Sequence, residues 1–409
     1  MIQHPFSRWL RLFTIATFFT ATAIAEESSG RFHFDGSISQ PVLENYLSRA
    51  VTHAGLCASS ADPTTRYFKD DLRMILDLGA KFIGRAAFVW DLPRNNETHF
   101  QAAADAAREI HEGDPEIIIQ AAIFEVVEKG VNRIEIPAWA FTELDLPIET
   151  RNFSYDAMLF DQGQFHNHWR GGASVPDMSK LETRLWFYYR ARRYIDCGIE
   201  AIHFGQVQLM DNADPSHRHW IDLLTRVRNY AKENARRHYV VCDAHTHGIS
   251  EQEQLLFDFH SYPMRLREVP GKPMQVRLSD QTRGDIFGRS LGGIAPSGWK
   301  CDSLPYLVEF DNYGYSGRGG ESVGGIWVWG YDEMSWFAHQ TPEHRAEFLR
   351  YANDWIANLD SPGFLQMPTR RILAAPVDRR RMYHANLASD TCPDGFGDEA
   401  VIRQIWNAP

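Results

Sequence analysis

Residues Ile199–His245 read IEAIHFGQVQLMDNADPSHRHWIDLLTRVRNYAKENARRHYVVCDAH, and this stretch sets the fold class. It opens on a short apolar run, Ile199–Gln208. Asp214-Pro215 then starts a long amphipathic stretch reaching about His238, and a second apolar run, Tyr239–His245, follows. Strand, helix, strand in that order implies a parallel pair joined by a helical crossover. Working outward, the same alternation recurs. Arg31–Asp35 (RFHFD) reads as a first strand, followed by a helix through Leu43–Ala54. Asp70–Gly79 reads as a helix, Lys81–Trp90 as a second strand, Phe100–Glu112 as a helix and Glu116–Val127 as a third strand. An irregular segment near 145–180 leads to a helix at Leu181–Cys197, so Ile199–Gln208 is the fourth strand and Tyr239–His245 the fifth. Leu255–His260 (LLFDFH), Tyr306–Asp311 (YLVEFD) and Gly325–Trp329 (GIWVW) complete eight, with a helix through Glu343–Asn358. Eight strands with intervening helices is the count of a (β/α)8 TIM-like barrel, here with long βα loops. The connection from the sixth to the seventh strand lacks an obvious long helix. After Pro362 the tail reads as a strand pair and a last helix. The expected organisation is therefore a barrel over 26–362, with a C-terminal strand and helix extension, 363–409, packed on it.

The first 25 residues carry a basic start (His4, Arg8, Arg11), an apolar stretch Leu12–Ala25 and the small-residue end Ala23-Ile24-Ala25. That is the pattern of a signal peptide, so the chain is expected to be secreted or periplasmic, with no membrane span after cleavage. The remaining 384 residues suit one α/β barrel. Net charge is −11, falling to −13 once Arg8 and Arg11 leave. Nucleic acid, which needs a basic footprint, is excluded as a partner. Five cysteines (Cys57, Cys197, Cys242, Cys301, Cys392) leave at least one unpaired, and no C-x-x-C suggests a zinc ribbon or redox pair. No cofactor or metal is expected.

In such a barrel the chemistry sits at the C-terminal ends of the strands. Polar residues gather there: His33 and Asp35, Glu125, His203 with Gln206 and Gln208, Asp243 and His245, Asp258 and His260, Glu309 and Asp311, then Asp332 and Glu333. A spacing of two puts both members of a pair on one side of a strand. Charges at such depth need partners or a ligand. Glu309, after the apolar run Tyr306-Leu307-Val308, and Asp243, inside a buried-type strand, are the candidate catalytic pair. Two carboxyl groups are what glycosidic cleavage requires, one as acid and one as nucleophile or base. Asp35, Trp90, Glu125, His203, Gln206, Gln208, His245, Asp258, His260, Asp311, Trp329 and Glu333 are candidate substrate-binding residues. Twelve tryptophans and 13% aromatic residues suit the apolar faces of sugar rings, with Trp90 and Trp329 as candidate walls of the site. Two long loops, with Arg283, Arg289 and Lys300 in one and His166–Arg170 in the other, are natural places for selectivity.

Asp177–Gln208, with its Leu181-Glu182-Thr183-Arg184 helix start, the run Asp196–Gln206 and the following Asp-Pro helix, resembles clan-A-like (β/α)8-barrel glycoside hydrolases. FHFDGSIS (32–39), PSGWKC (296–301) and WGYDE (329–333) resemble segments of a family of secreted bacterial proteins. The first resemblance implies a carbohydrate substrate and hydrolysis of O-glycosyl bonds. Such families carry a catalytic carboxylate at the end of strand four, where this chain has Gln206 and Gln208. Two other readings use the same residues. A metal-dependent, amidohydrolase-like barrel would take ligands from His33, Asp35, His203, His245, His260 and Asp332. A non-catalytic glycan-binding barrel would explain the strand-four glutamines.

Overall fold

The computed structural model describes residues 30–58, 66–88, 90, 96–279, 290–359 and 362–408. The leader read over residues 1–25, together with Arg283 and Arg289, lies outside them. A curled ten-stranded sheet carries the mixed α/β architecture. Its strands are β1 (Ala50–His53), β2 (Phe82–Phe88), β3 (Ile118–Ala122), β4 (Ala201–His203), β5 (Val241–Ala244), β6 (Phe259–Pro263), β7 (Tyr306–Glu309), β8 (Gly363–Leu365), β9 (Met367–Val377) and β10 (Arg380–His384). They are hydrogen-bonded in the order β8-β7-β6-β5-β4-β3-β2-β1-β9-β10. Every pairing is parallel except β9 with β10. At one edge Leu307 pairs with Phe364, and at the other Val51 pairs with Met367. These two edges are separated along the chain by a single residue, Gln366.

Parallel strands need crossovers, and helices supply most of them. α1 (Gln40–Leu47) precedes β1. α2 (Phe68–Leu78), α3 (Asn96–Gly113), α4 (Leu181–Asp196) and α5 (Arg218–Asn234) link successive strands from β1 to β5. α6 (Glu333–Ala338) and α7 (Pro342–Leu359) lie between β7 and β8, and α8 (Glu399–Trp406) closes the chain. α2 shows how sequence makes such an element. Leu72, Ile75 and Leu78 recur on one buried face, and Gly79 ends the helix with φ +68°, a left-handed turn that glycine adopts without strain. Among the described residues, no helix joins β5 to β6 or β6 to β7. Both connections carry short strands instead: Ser250–Glu251 and Gln254–Leu255 from the first pair with Gly293–Ile294 and Lys300–Cys301 from the second as a small side sheet.

Side chains alternate across each strand. One set (Ile83, Ile119, Ile202, Cys242, Val308) packs with the helix layer, and the other (Phe82, Ile118, Ala201, Val241, Phe259, Leu307) forms an inner cluster near the strand starts. Phe82 and Phe259 meet edge to face at 5.6 Å there, worth about 0.5–1.5 kcal/mol beyond burial.

Several expected elements shift. Arg31–Asp35 is not a strand: Phe32 and Phe34 plug the inner cluster from below, and that packing produces the F-x-F alternation. The first strand is Ala50–His53, inside the stretch expected to be helical, because α1 stops at Leu47. The sixth strand begins at Phe259, and Leu255 belongs to the side sheet. Gly325–Trp329 is loop, tied by a lone bridge between Val328 and Tyr331. Residues 363–384, expected as strands of an appended extension, run in the main sheet. All five cysteines are free.

Candidate active site

Two irregularities in the sheet decide where charge points. On β2, Ile83 pairs with Ile119 and Ala87 with Ala121, so four steps of β2 face two of β3. Arg85 sits inside that bulge with φ +57°, and its backbone N–H donates to Gln120 Oε1 at 3.0 Å. On β9, Pro368 pairs with Thr52 and Arg370 with His53, so Thr369 is an extra residue that flips the alternation beyond it. Bulges re-aim side chains, and these two turn Arg85 and Arg371 toward the end of β7.

The residue they meet is Glu309. Arg85 Nε donates to Glu309 Oε2 at 2.8 Å and Arg85 Nη2 to Oε1. His245 Nε2 lies 3.0 Å from the same Oε1, and Arg371 Nη1 lies 3.8 Å from Oε2. Burial alone would raise this carboxyl. The Arg85 charge, with His245 and Arg371, outweighs burial and holds it well below the usual carboxylate range. Glu309 is thus an ionised carboxylate held in a bidentate fork, with 1% of its surface exposed.

Asp243 lies on β5, fully buried. Its Oδ1 accepts from Gln120 Nε2 at 2.7 Å, and its Oδ2 faces His203 Nδ1 at 2.8 Å and accepts from Ser261 Oγ. With both oxygens engaged, it orients His203. Burial lowers the His203 pKa in spite of Asp243. The His203 ring packs 4.7 Å from that of His245 and 5.9 Å from that of Phe124, and its buried Nε2 has no hydrogen bond among the described residues.

Asp311 lies two residues beyond Glu309 and is partly exposed. Its Oδ2 accepts from Arg265 Nη1 at 3.0 Å. Glu333, at the start of α6, ties this region together, because its Oε2 accepts from the Asp311 N–H at 2.9 Å and its Oε1 from the Leu266 N–H at 3.2 Å. Burial raises the Glu333 carboxyl to about 7 against Arg265, and burial also raises neighbouring Asp332 to about 7.

Aromatic rings flank these groups. Trp90, at the end of β2, packs 5.5 Å from Phe124 and 5.4 Å from Trp169, and the Arg85 guanidinium lies 5.2 Å over Phe124. Across Asp311, the Arg265 guanidinium lies 5.4 Å over Tyr313, whose ring is 5.5 Å from Trp327. The carboxylates at the end of β7 are therefore linked to both aromatic groups, Glu309 through Arg85 to the Trp90 cluster and Asp311 through Arg265 to the Tyr313 cluster.

The structure thus brings together Trp90, His203, Asp243, His245, Glu309, Asp311 and Glu333. Glu125 supports the neighbouring loop. Its oxygens accept from the Gln206 backbone N–H at 2.8 Å and from Gln206 Nε2 at 3.0 Å, while Gln206 and Gln208 are exposed beyond β4. A Cβ at Gly205 would lie 1.9 Å from Glu125 Oε2, so that approach requires glycine. Other expected residues lie elsewhere. Asp35 is exposed and meets His238 Nδ1 at 2.6 Å beside the strand starts. Asp258 precedes β6, where its Oδ2 accepts from the Cys242 N–H at 2.8 Å and from Arg228 at 3.3 Å. His260 turns away from the inner face to Ser290 Oγ at 2.8 Å. Trp329 is buried, its backbone N–H donating to Glu268 and its indole N–H to the Gln275 carbonyl, so it anchors a loop. Lys300 pairs on the surface with Glu253. His33 is exposed, and among the described residues no three His, Cys, Asp or Glu side chains group as metal ligands. Sequence reasoning missed Arg85, Arg265, Arg371, Phe124 and Tyr313. The available signal was an arginine inside a strand otherwise of buried type, FIGRAAF.

No family model and no curated protein matches this chain. Its structural neighbours are glycoside hydrolases. A GH36 alpha-galactosidase from Geobacillus stearothermophilus matches at 11% identity and a TM-score of 0.30, over 50% of this chain and 29% of that one. A debranching enzyme from Nostoc punctiforme matches at 12% identity and 0.32, over 53% and 52%. An isomalto-dextranase from Arthrobacter globiformis T6, complexed with panose, matches at 8% identity and 0.34, over 79% and 48%. The chain spans less than two thirds of the length of each.

Proposed function

We propose that this chain is a secreted hydrolase of O-glycosyl bonds, built on a closed (β/α)8 barrel. Closure is supported at Gln366. β8 pairs with β7 and β9 pairs with β1, so the two act as one eighth strand. The Gln366 N–H donates to the Val308 carbonyl at 2.8 Å, and its side chain donates to the Val51 carbonyl at 3.1 Å, one bond to each flank. No helix among the described residues is long and apolar enough to cross a membrane. Secretion rests on the leader.

The observation that carries the reading is Glu309 and Asp311 together between two aromatic clusters. Glycosidases work with two carboxyl groups at the scissile bond, and Glu309 and Asp311 stand two residues apart at and just beyond the end of β7. In this reading Glu309 is the ionised partner that faces developing positive charge on the sugar. Asp311, which reaches solvent, handles the proton at the glycosidic oxygen. Asp243 acts at one remove, by orienting His203. The rings of Trp90, Trp169, Tyr313 and Trp327 offer flat faces to sugar C–H groups.

The test is release of reducing ends from a panel of plant, algal and host glycans. The wild type is expected to cleave at least one. Asp311→Asn should lower kcat by about 10²–10⁴-fold, the usual contribution of acid–base catalysis, with little change in KM. A wild type that turns over no glycan, or an Asp311→Asn variant with full kcat, would overturn the reading.

A further inference from the structure

Arg371 is the cation of the site whose charge is left over. Arg85 is committed to Glu309 by two hydrogen bonds, and Arg265 is committed to Asp311 by one. Arg371 makes no side-chain hydrogen bond among the described residues. Among the described residues its Nε is buried without a partner, and its only ion-pair contact is the 3.8 Å approach to the already committed Glu309. Its side chain is 10% exposed. Its other charged neighbours are Arg85, Asp311 and Asp332. Burial, with the like charge of Arg85, lowers its pKa even against Glu309, as expected of a guanidinium that lacks a full counter-charge. A buried, unmatched charge is costly, and the extra residue in β9 aims this one at the site. A guanidinium offers five donors in a planar fork that matches carboxylate and sulfate oxygens.

We infer that Arg371 receives an anionic group of the substrate, so that the sugar bound beside Glu309 and Asp311 carries a carboxylate or a sulfate ester. This rests on the site proposed above and adds a substrate class, an acidic glycan, for a protein whose own net charge is negative. The anion would complete the fork that Glu309 leaves open.

Calorimetric titration of the full chain with glucuronate, glucose 6-sulfate and glucose tests this without requiring turnover. Glucuronate, glucose 6-sulfate or both should bind at least tenfold more tightly than glucose, and which one does separates the two anion sources. Arg371→Gln should erase the preference, so that the acidic sugars bind no more tightly than glucose. Arg371→Lys, which keeps the charge but loses the fork, should retain part of it. Without ligand, Arg371→Gln should melt no lower than the wild type, because an unmatched charge has been removed. Equal affinity of the wild type for all three sugars would overturn the inference, and so would a Tm loss of several degrees in Arg371→Gln with anion preference intact. Cleavage of neutral glycans with no anion preference would sink this inference and spare the hydrolase reading. Arg371-dependent binding of acidic sugars, with no glycan cleaved, would do the reverse.

Discussion

Glu309 holds one charge with two arginines and a histidine around it, and the balance can be tested by removing the charge alone. Glu309→Gln keeps the shape but leaves Arg85 buried beside a neutral amide. Removing one partner of a buried pair costs about 3–5 kcal/mol, because the survivor stays desolvated. The variant is therefore expected to lose stability as well as turnover, and urea unfolding at pH 7 measures the loss. A midpoint equal to that of the wild type would mean that Arg85 finds another partner or reaches water. Gly84 is the second informative residue. A Cβ there would lie 2.0 Å from Gln366 Nε2 and 3.2 Å from the Val51 carbonyl oxygen, against the side chain that bonds the opposite flank of the sheet. Gly84→Ala must push Gln366 out of that bond, and overpacking of this kind costs about 1–3 kcal/mol. A thermal melt unchanged by the substitution would show that Gln366 yields freely.

At the scale of the element, the start of α6 acts as a clamp. Glu333 accepts backbone N–H groups from beyond β6 and beyond β7, so one buried carboxyl holds two strand ends in register. Its ordinary value is 4.5, raised by burial to about 7 in the folded chain. A raised carboxylate contributes stability that is full below pH 4.5 and lost as pH rises through about 7. The span corresponds to roughly 3 kcal/mol between pH 4.5 and 8. Glu333→Gln costs about 1–3 kcal/mol at every pH, since an amide oxygen replaces only one of the two acceptors. The variant should nonetheless lose less stability than the wild type between pH 5 and pH 8. Parallel denaturation curves for the two proteins at both pH values would refute the assignment. The elements also show what sequence can carry. β2, β3 and β4 stand out because each is an apolar run set between helical stretches, and β5 and β7 because each is a short apolar run leading into a carboxylate. β1 does not, since four residues, AVTH, lie directly after a helix of similar composition. RFHFD mimics a strand because two phenylalanines alternate in a plug. The candidate site was half legible for the same reason. Period-two reasoning finds Glu309 and Asp311 at a strand end, but it cannot find Arg85 or Arg371, whose direction depends on bulges in the pairing.

At the scale of the whole molecule, the question is whether residues 363–408 are part of the cooperative unit or a layer added to it. Their contacts favour the first. β8 and β9 contribute backbone bonds to both flanks of the sheet. Arg345 Nε on α7 donates to buried Asp398 at 2.7 Å, and Arg73 on α2 donates to Glu399 at 2.9 Å. β8 pairs with β7 and β9 pairs with β1, so opening this segment unpairs backbone groups on both of those strands. Native-state hydrogen exchange on the intact chain separates the alternatives. If β9 completes the barrel, the amides of Met367–Arg371 exchange only through global unfolding. Their protection then shares the denaturant dependence of Ile118–Ala122 on the far side of the sheet. If the tail is merely docked, the same amides open earlier, with a smaller dependence on denaturant and with β1 unaffected. Arg371 rides on this strand, so a separate opening would also withdraw the unmatched guanidinium from the site, and the preference for an anionic sugar would weaken at denaturant concentrations too low to unfold β3.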